Sequence, residues 1–139
     1  KLLILARELD LRNEFTDINV ENLIPNELQG GTVKEFLENL SVLDEKFSAI
    51  KKSQRPGHVL RYVGELSGDL QKEKGILEVK LVSVPKESSL GQIKGSDSII
   101  EIYTESYGQH PLVIQGAGAG AAVTARGVFG DILRIAEKG

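Results

Sequence analysis

Residues 111–131 read PLVIQGAGAGAAVTARGVFGD, and the order of residue types in this stretch decides how the rest of the chain is read. Leu112, Val113 and Ile114 make a short apolar run of the kind a buried strand uses. Glycines then alternate at 116, 118 and 120. From Ala121 the apolar positions Ala125, Val128, Phe129, Ile132, Leu133 and Ala136 return at helical spacing. A strand that turns through glycines into a helix start presents free N–H groups and a positive helix end, which suits a phosphate or a cofactor. Glycine has no Cβ, so it permits positive φ and lets another group lie against bare backbone. The turn therefore has two readings, backbone contact with a cofactor or close packing of small residues.

Gly116, Gly118 and Ala121 also fit G-x-G-x-x-A. A dinucleotide fingerprint opens a βαβ unit and needs an acidic residue about 20 positions on, at the end of a second strand. Glu137 stands at that distance, but the sequence stops at Gly139 with no second strand to carry it. The glycine stretch is not expected to be the pyrophosphate site of a complete Rossmann domain.

Upstream, three more runs have strand character: 58–66, 75–84 and 98–104. In the second, Leu77, Val79 and Leu81 alternate with Glu78 and Lys80, and in the third Ile100 and Ile102 alternate with Glu101 and Tyr103. That period of two marks half-buried, antiparallel strands. Residues 67–74 suit a wide hairpin, and 86–96 a loop. Ile18, Val20, Leu23 and Ile24 form a further short extended segment, stopped by Pro25.

Residues 1–9 (KLLILAREL) have one apolar helical face, and 10–16 a polar connection. Thr32-x-x-Glu35 is a capping box. It opens a helical rhythm through Val33, Phe36, Leu37, Leu40, Leu43, Phe47 and Ile50 that Arg55-Pro56-Gly57 ends. Ser41-x-x-Asp44 offers a second cap, so one kinked helix and two short ones are both open. The expected fold is α+β, with a mixed, mostly antiparallel open sheet and helices packed on one face.

The 139 residues carry a formal charge of −3, with 40% hydrophobic and 27% charged residues and no cysteine. An acidic balance argues against nucleic acid or an anionic membrane as partner. No apolar run approaches the roughly 18 residues of a membrane span. Without cysteine there is no disulfide, which is compatible with the cytoplasm. His58 and His110 lack neighbours at metal-ligand spacing, so no metal site is expected. Glu65, Glu78 and Glu101 read as outward-facing carboxylates, and Tyr62, Tyr103 and Tyr107 as packing residues. With Lys1 first and no methionine, the sequence reads as a fragment.

The ending VIQGAGAGAAVTARGVFGDILRIA strongly resembles that of homoserine dehydrogenases. KLLILAREL, VLRYVGEL and IKGSDSIIEIYTESY match the same family in the same order. These enzymes interconvert aspartate 4-semialdehyde and homoserine with NAD or NADP, and many are the C-terminal half of a bifunctional aspartokinase–homoserine dehydrogenase. The resemblance implies a substrate-binding and dimerisation region over 1–118. It also implies a C-terminal helix, 119–139, that packs on a dinucleotide-binding domain lying upstream.

The family motif D-V-A-R-K-L places an aspartate four residues before a lysine, and Lys1 aligns with that lysine. The implied role of Lys1 is catalytic, as proton donor to the aldehyde oxygen. Gly120 aligns with the family's backbone contact to the cofactor. Arg126 stands where relatives often carry a small residue. The resemblance further implies a homodimer, a chain inactive alone, and no metal ligand within it. The rival reading is a non-catalytic dimerisation or interaction domain.

Overall fold

A computed structural model describes residues 1–138. The first element, α1 (Leu2–Glu8), ends in a way its sequence hides. Leu9 caps the helix and Asp10 turns left-handed at φ 60°. The Leu11 N–H then donates to the Ala6 carbonyl and the Asp10 N–H to the Arg7 carbonyl, both at 3.0 Å. This is the double bond pattern of a Schellman turn, with Asp in the place glycine usually takes. The turn drives Leu11 back beside Ala6, and both are buried.

Those two residues form the centre of a core with Leu77, which is 1% exposed. Leu77 lies on β3 (Ile76–Pro85), the middle strand of a three-stranded sheet ordered β1-β3-β2. β1 (Ile18–Val20) runs parallel to β3, and β2 (His58–Ser67) antiparallel to it. Register places Ile18, Leu77 and Leu66 in one row across the three strands. Leu2 and Leu3 of α1 cover that row. Gly64 lies against the helix, where a Cβ would make ordinary contact with Leu2 Cδ1 at 3.6 Å. The alternation of β3 was legible in the sequence. Leu77 is the most enclosed point of this sheet, because α1 covers it.

A second tie comes from Asn13, whose side chain is 1% exposed. Its Nδ2 donates to the Gly75 carbonyl and its Oδ1 accepts from the Gly75 N–H, both at 2.9 Å. The amide thus acts as one extra rung of sheet. Beside it the Arg12 N–H donates to the Glu73 carbonyl at 2.6 Å.

On the opposite face Glu65 and Glu78 are directly paired across β2 and β3. Like charges so placed repel. Lys80 sits between them, 2.8 Å from Glu65 Oε2 and 2.6 Å from Glu78 Oε2. Lys80 holds the Glu78 carboxyl below its usual range, first by hydrogen bonding and then by charge. The two carboxylates push the lysine up in turn, Glu65 first. A carboxylate with a depressed folded pKa adds stability above its unfolded value and loses it as pH falls through the folded one. A raised lysine adds stability below its unfolded value and loses it as pH rises through the folded one. Lys80→Met is therefore expected to lower Tm most near neutral pH. The gap from the parent should close below the ordinary glutamate value of 4.5, as the Glu78 carboxylate protonates. A gap independent of pH would show that the lysine acts only by packing.

Between β1 and β2 lie two helices, α2 (Val33–Glu38) and α3 (Ser41–Ser53). The capping box is formed as read, with Thr32 and Glu35 bonding reciprocally. The choice between one kinked helix and two falls to two, separated at Asn39 and Leu40. Ser41 is not the cap of the second, since Leu40 holds that position and no side chain bonds there.

The backbone divides into two compact units, Lys1–Pro85 and Lys86–Gly139. In the second, α4 (Ser89–Gln92) interrupts the stretch expected to be a loop, and Ser88 caps it by accepting from the Gly91 N–H at 3.0 Å. β4 (Asp97–Ile102) and β5 (Leu112–Ala117) form an antiparallel pair, followed by α5 (Ala121–Glu137). The fold is α+β with mixed open sheets, as expected. Its strands join two hydrogen-bonded sheets, of three and two strands, where one had been anticipated.

Candidate functional site

The glycine turn closes β5 and opens α5, and only two of its three glycines have a structural reason to be glycine. A Cβ on Gly116 would meet nothing within 4 Å. A Cβ on Gly118 would overlap Ser98 Oγ and lie 2.7 Å from Ser98 Cβ, so this position is close packing. Gly120 has open space around it, but its φ of 127° and ψ of 149° belong to a region almost closed to other residues. The close-packing reading of the turn is thus met at Gly118, whereas Gly120 is glycine for its backbone conformation. Gly116→Ala is expected to change stability by less than about 0.5 kcal/mol. Gly118→Ala should cost about 1–3 kcal/mol by overpacking, and adding Ser98→Gly should recover most of it. Urea melts of the single and double variants check this; a Gly118 variant as stable as the parent would contradict the packing role.

Gly120 is the N-cap of α5, and its carbonyl accepts from the Thr124 N–H at 3.0 Å. Being glycine, it offers no side chain to the N–H groups of Ala121, Ala122 and Val123, which the helix itself leaves unpaired. The first turn carries no acidic residue, and residues 116–123 are all exposed. Such a backbone edge can receive a polar or anionic group with no side chain in the way.

Lys1 lies in the other unit, as the N-cap residue of α1. Its carbonyl accepts from Ile4 and Leu5 at 3.0 and 3.2 Å, whereas its side chain makes no cap bond. The residue is exposed, and among the described residues its ammonium has no ion-pair partner. A primary ammonium held at a helix entrance and open to solvent can donate a proton to a bound oxygen.

A polar group that sequence reading missed lies between α4 and β4. Ser89 Oγ donates to Glu101 Oε1, and the Tyr103 hydroxyl donates to Glu101 Oε2 at 2.9 Å. The hydrogen bond to Glu101, followed by burial and charge, raises the Tyr103 pKa above its ordinary value. Both oxygens of Glu101 are engaged, so the carboxylate braces the α4 turn against the strand instead of standing free as a base. The Ser-Ser pair before Leu90 was the available signal, as a helix cap. Among the described residues no cluster of three or more His, Asp or Glu could hold a metal ion. Nor is any helix long and apolar enough to cross a membrane.

A model of the family described as homoserine dehydrogenase matches residues 1–133. Homoserine dehydrogenase of Paracoccidioides brasiliensis is 42% identical over 141 residues, covering 99% of this chain and 37% of that protein. The chloroplastic bifunctional aspartokinase/homoserine dehydrogenase 2 of Arabidopsis thaliana is 42% identical over 139 residues, 99% of this chain and 15% of that one. A crystal structure of a Candida auris protein of unknown function superposes with a TM-score of 0.77 at 39% identity, over 99% of this chain and 38% of that one. The chain therefore spans well under half the length of the relatives it matches.

Proposed function

Because the chain belongs to the homoserine dehydrogenase family, we propose that it is the substrate-binding and dimerisation part of an oxidoreductase interconverting aspartate 4-semialdehyde and L-homoserine. The family match over residues 1–133 carries this reading. In the reductive direction NAD(P)H supplies a hydride to the aldehyde carbon, and the oxygen must gain a proton to become the alcohol of homoserine. Lys1 is the residue we assign to that proton, since its exposed ammonium is the kind of donor the step needs.

Gly120 is the residue we assign to the cofactor. Its open surroundings fit the assignment, because bare backbone there leaves room that a side chain would fill. In the full-length gene product Gly120→Ala should raise KM for NAD(P)H as well as lower Tm, since the positive φ strains any replacement. An unchanged KM in the folded variant would leave Gly120 a purely conformational glycine.

We assign residues 1–118 to substrate binding and dimerisation and 119–139 to a helix that packs on a dinucleotide-binding domain. The exposure of Phe129, Ile132 and Ile135 at 62, 55 and 73% supports an apolar helix surface that needs cover. Ile100, Ile102, Leu112 and Ile114 share one face of the β4–β5 pair and are each 40–53% exposed, which supports a homodimer contact there. Fusion to an aspartokinase, as in the Arabidopsis relative, and a cytoplasmic location belong to the same reading.

The test compares the isolated 139-residue chain with the full-length gene product. The isolated chain should sediment as a dimer and show no homoserine-dependent reduction of NAD(P), whereas the full-length product should show it. Turnover by the isolated chain would overturn the division of labour. An inactive full-length dimer would favour a non-catalytic domain.

A further inference from the structure

The last turn of α3 and the start of the β2–β3 pair enclose a cleft of about 370 Å³ that has no part in the reading above. Its floor is the sheet face carrying His58 and Leu60, with Ser83 directly opposite Leu60 on β3. Its wall is Ile50 and Gln54 of the helix end, and Arg55 stands at its rim.

The polar chemistry of this lining is one-sided. Gln54 Nε2 is buried and has no hydrogen-bond partner. A buried donor left without a partner is costly, so such a group points to an acceptor that belongs beside it. Arg55 is exposed, and among the described residues its guanidinium has no ion-pair partner. His58 Nδ1 lies 3.3 Å from the Pro56 carbonyl, which directs its N–H there and turns Nε2 away from that contact. Ser53 Oγ donates to the Ile50 carbonyl at 3.0 Å and does not accept from Gln54 Nε2. No aspartate or glutamate lines the cleft. The carbonyl end of α3 opposes an anion only with partial charge, and Lys51 and Lys52 in the same turn offset it. The volume exceeds many times the roughly 30 Å³ of one water molecule, and the apolar walls are Ile50 and Leu60.

We propose that this cleft binds a small carboxylate with a short aliphatic chain. One carboxylate oxygen would accept from Gln54 Nε2, the guanidinium of Arg55 would meet its charge, and the chain would lie between Ile50 and Leu60. A carboxylate matches both the planar fork of arginine and the amide donor, whereas a neutral ligand leaves the cation without a partner.

The probe is sodium butyrate, titrated into the ¹⁵N-labelled full chain at constant ionic strength, with butyramide and inorganic phosphate as parallel arms. Butyrate should give saturable shifts of the Gln54 side-chain amide and of the Arg55 and His58 signals. Gln54→Glu and Arg55→Ala should each weaken binding at least tenfold while leaving the rest of the spectrum in place. Butyramide should bind more weakly than butyrate by a similar factor. Shifts with phosphate but not butyrate would overturn the carboxylate assignment. The absence of saturable shifts with any probe would show that water alone satisfies Gln54, and equal binding by the Gln54→Glu protein would place the ligand elsewhere.

Discussion

Replacing Lys1 by Ala in the full-length gene product is expected to lower kcat by roughly 10²–10⁴-fold, the usual worth of a positioned proton donor. KM for homoserine should move much less, because the group acts on the oxygen that changes charge during the reaction. The fold should not suffer. Lys1 contributes its carbonyl to α1, which alanine retains, and its side chain makes no cap bond. Lys1→Arg should stay slow although the charge is kept, since a guanidinium gives up its proton far less readily than an ammonium. Steady-state rates of the three proteins decide the matter: a kcat for the alanine variant equal to the parent's would remove Lys1 from the chemistry.

Asn13→Ala is expected to cost about 2–4 kcal/mol, since it strips partners from both backbone groups of Gly75 within a part-buried contact. Asn13→Asp separates the two bonds. One carboxylate oxygen can still accept from the Gly75 N–H, but the other faces the Gly75 carbonyl with no proton to offer. The aspartate variant should therefore lie well below the parent at pH 7 and recover part of the difference in acid, where the side chain can donate again. Urea midpoints at two pH values test this. A loss of under about 0.5 kcal/mol for the alanine variant would mean that water replaces the amide without penalty.

How much of this was legible depended on whether a feature lies in one run of sequence or needs two. The capping box at Thr32 and Glu35 and the alternation of β3 are properties of consecutive residues, and both are formed as read. Asn13 was unremarkable in a polar connection because its meaning lies in Gly75, which only the folded chain brings near. Asp10 was missed for a related reason: aspartate tolerates the left-handed turn but does not announce it as glycine does. The four-residue α4 is too short to show a period. At the glycine turn the letters at 116, 118 and 120 are identical, yet one is free, one packed and one conformationally fixed. Lys1 and Gly120 entered through family likeness, since a lone lysine and a lone glycine carry little signal of their own.

The strap that Arg12 and Asn13 form with Glu73 and Gly75 also bears on the order in which the first unit assembles. β2 and β3 are joined by the local connection 68–75, and β-hairpins close in about 1–10 μs. Asn13 must reach a residue 62 positions away, and contacts of that separation form late because the chain between must first be gathered in. Interactions made after the folding barrier do little to speed folding, but they must break before the molecule opens. The Asn13 variants are therefore expected to unfold faster while folding at nearly the parent rate. On that account the buried amide governs how long the native fold persists, and the hairpin governs how soon it appears.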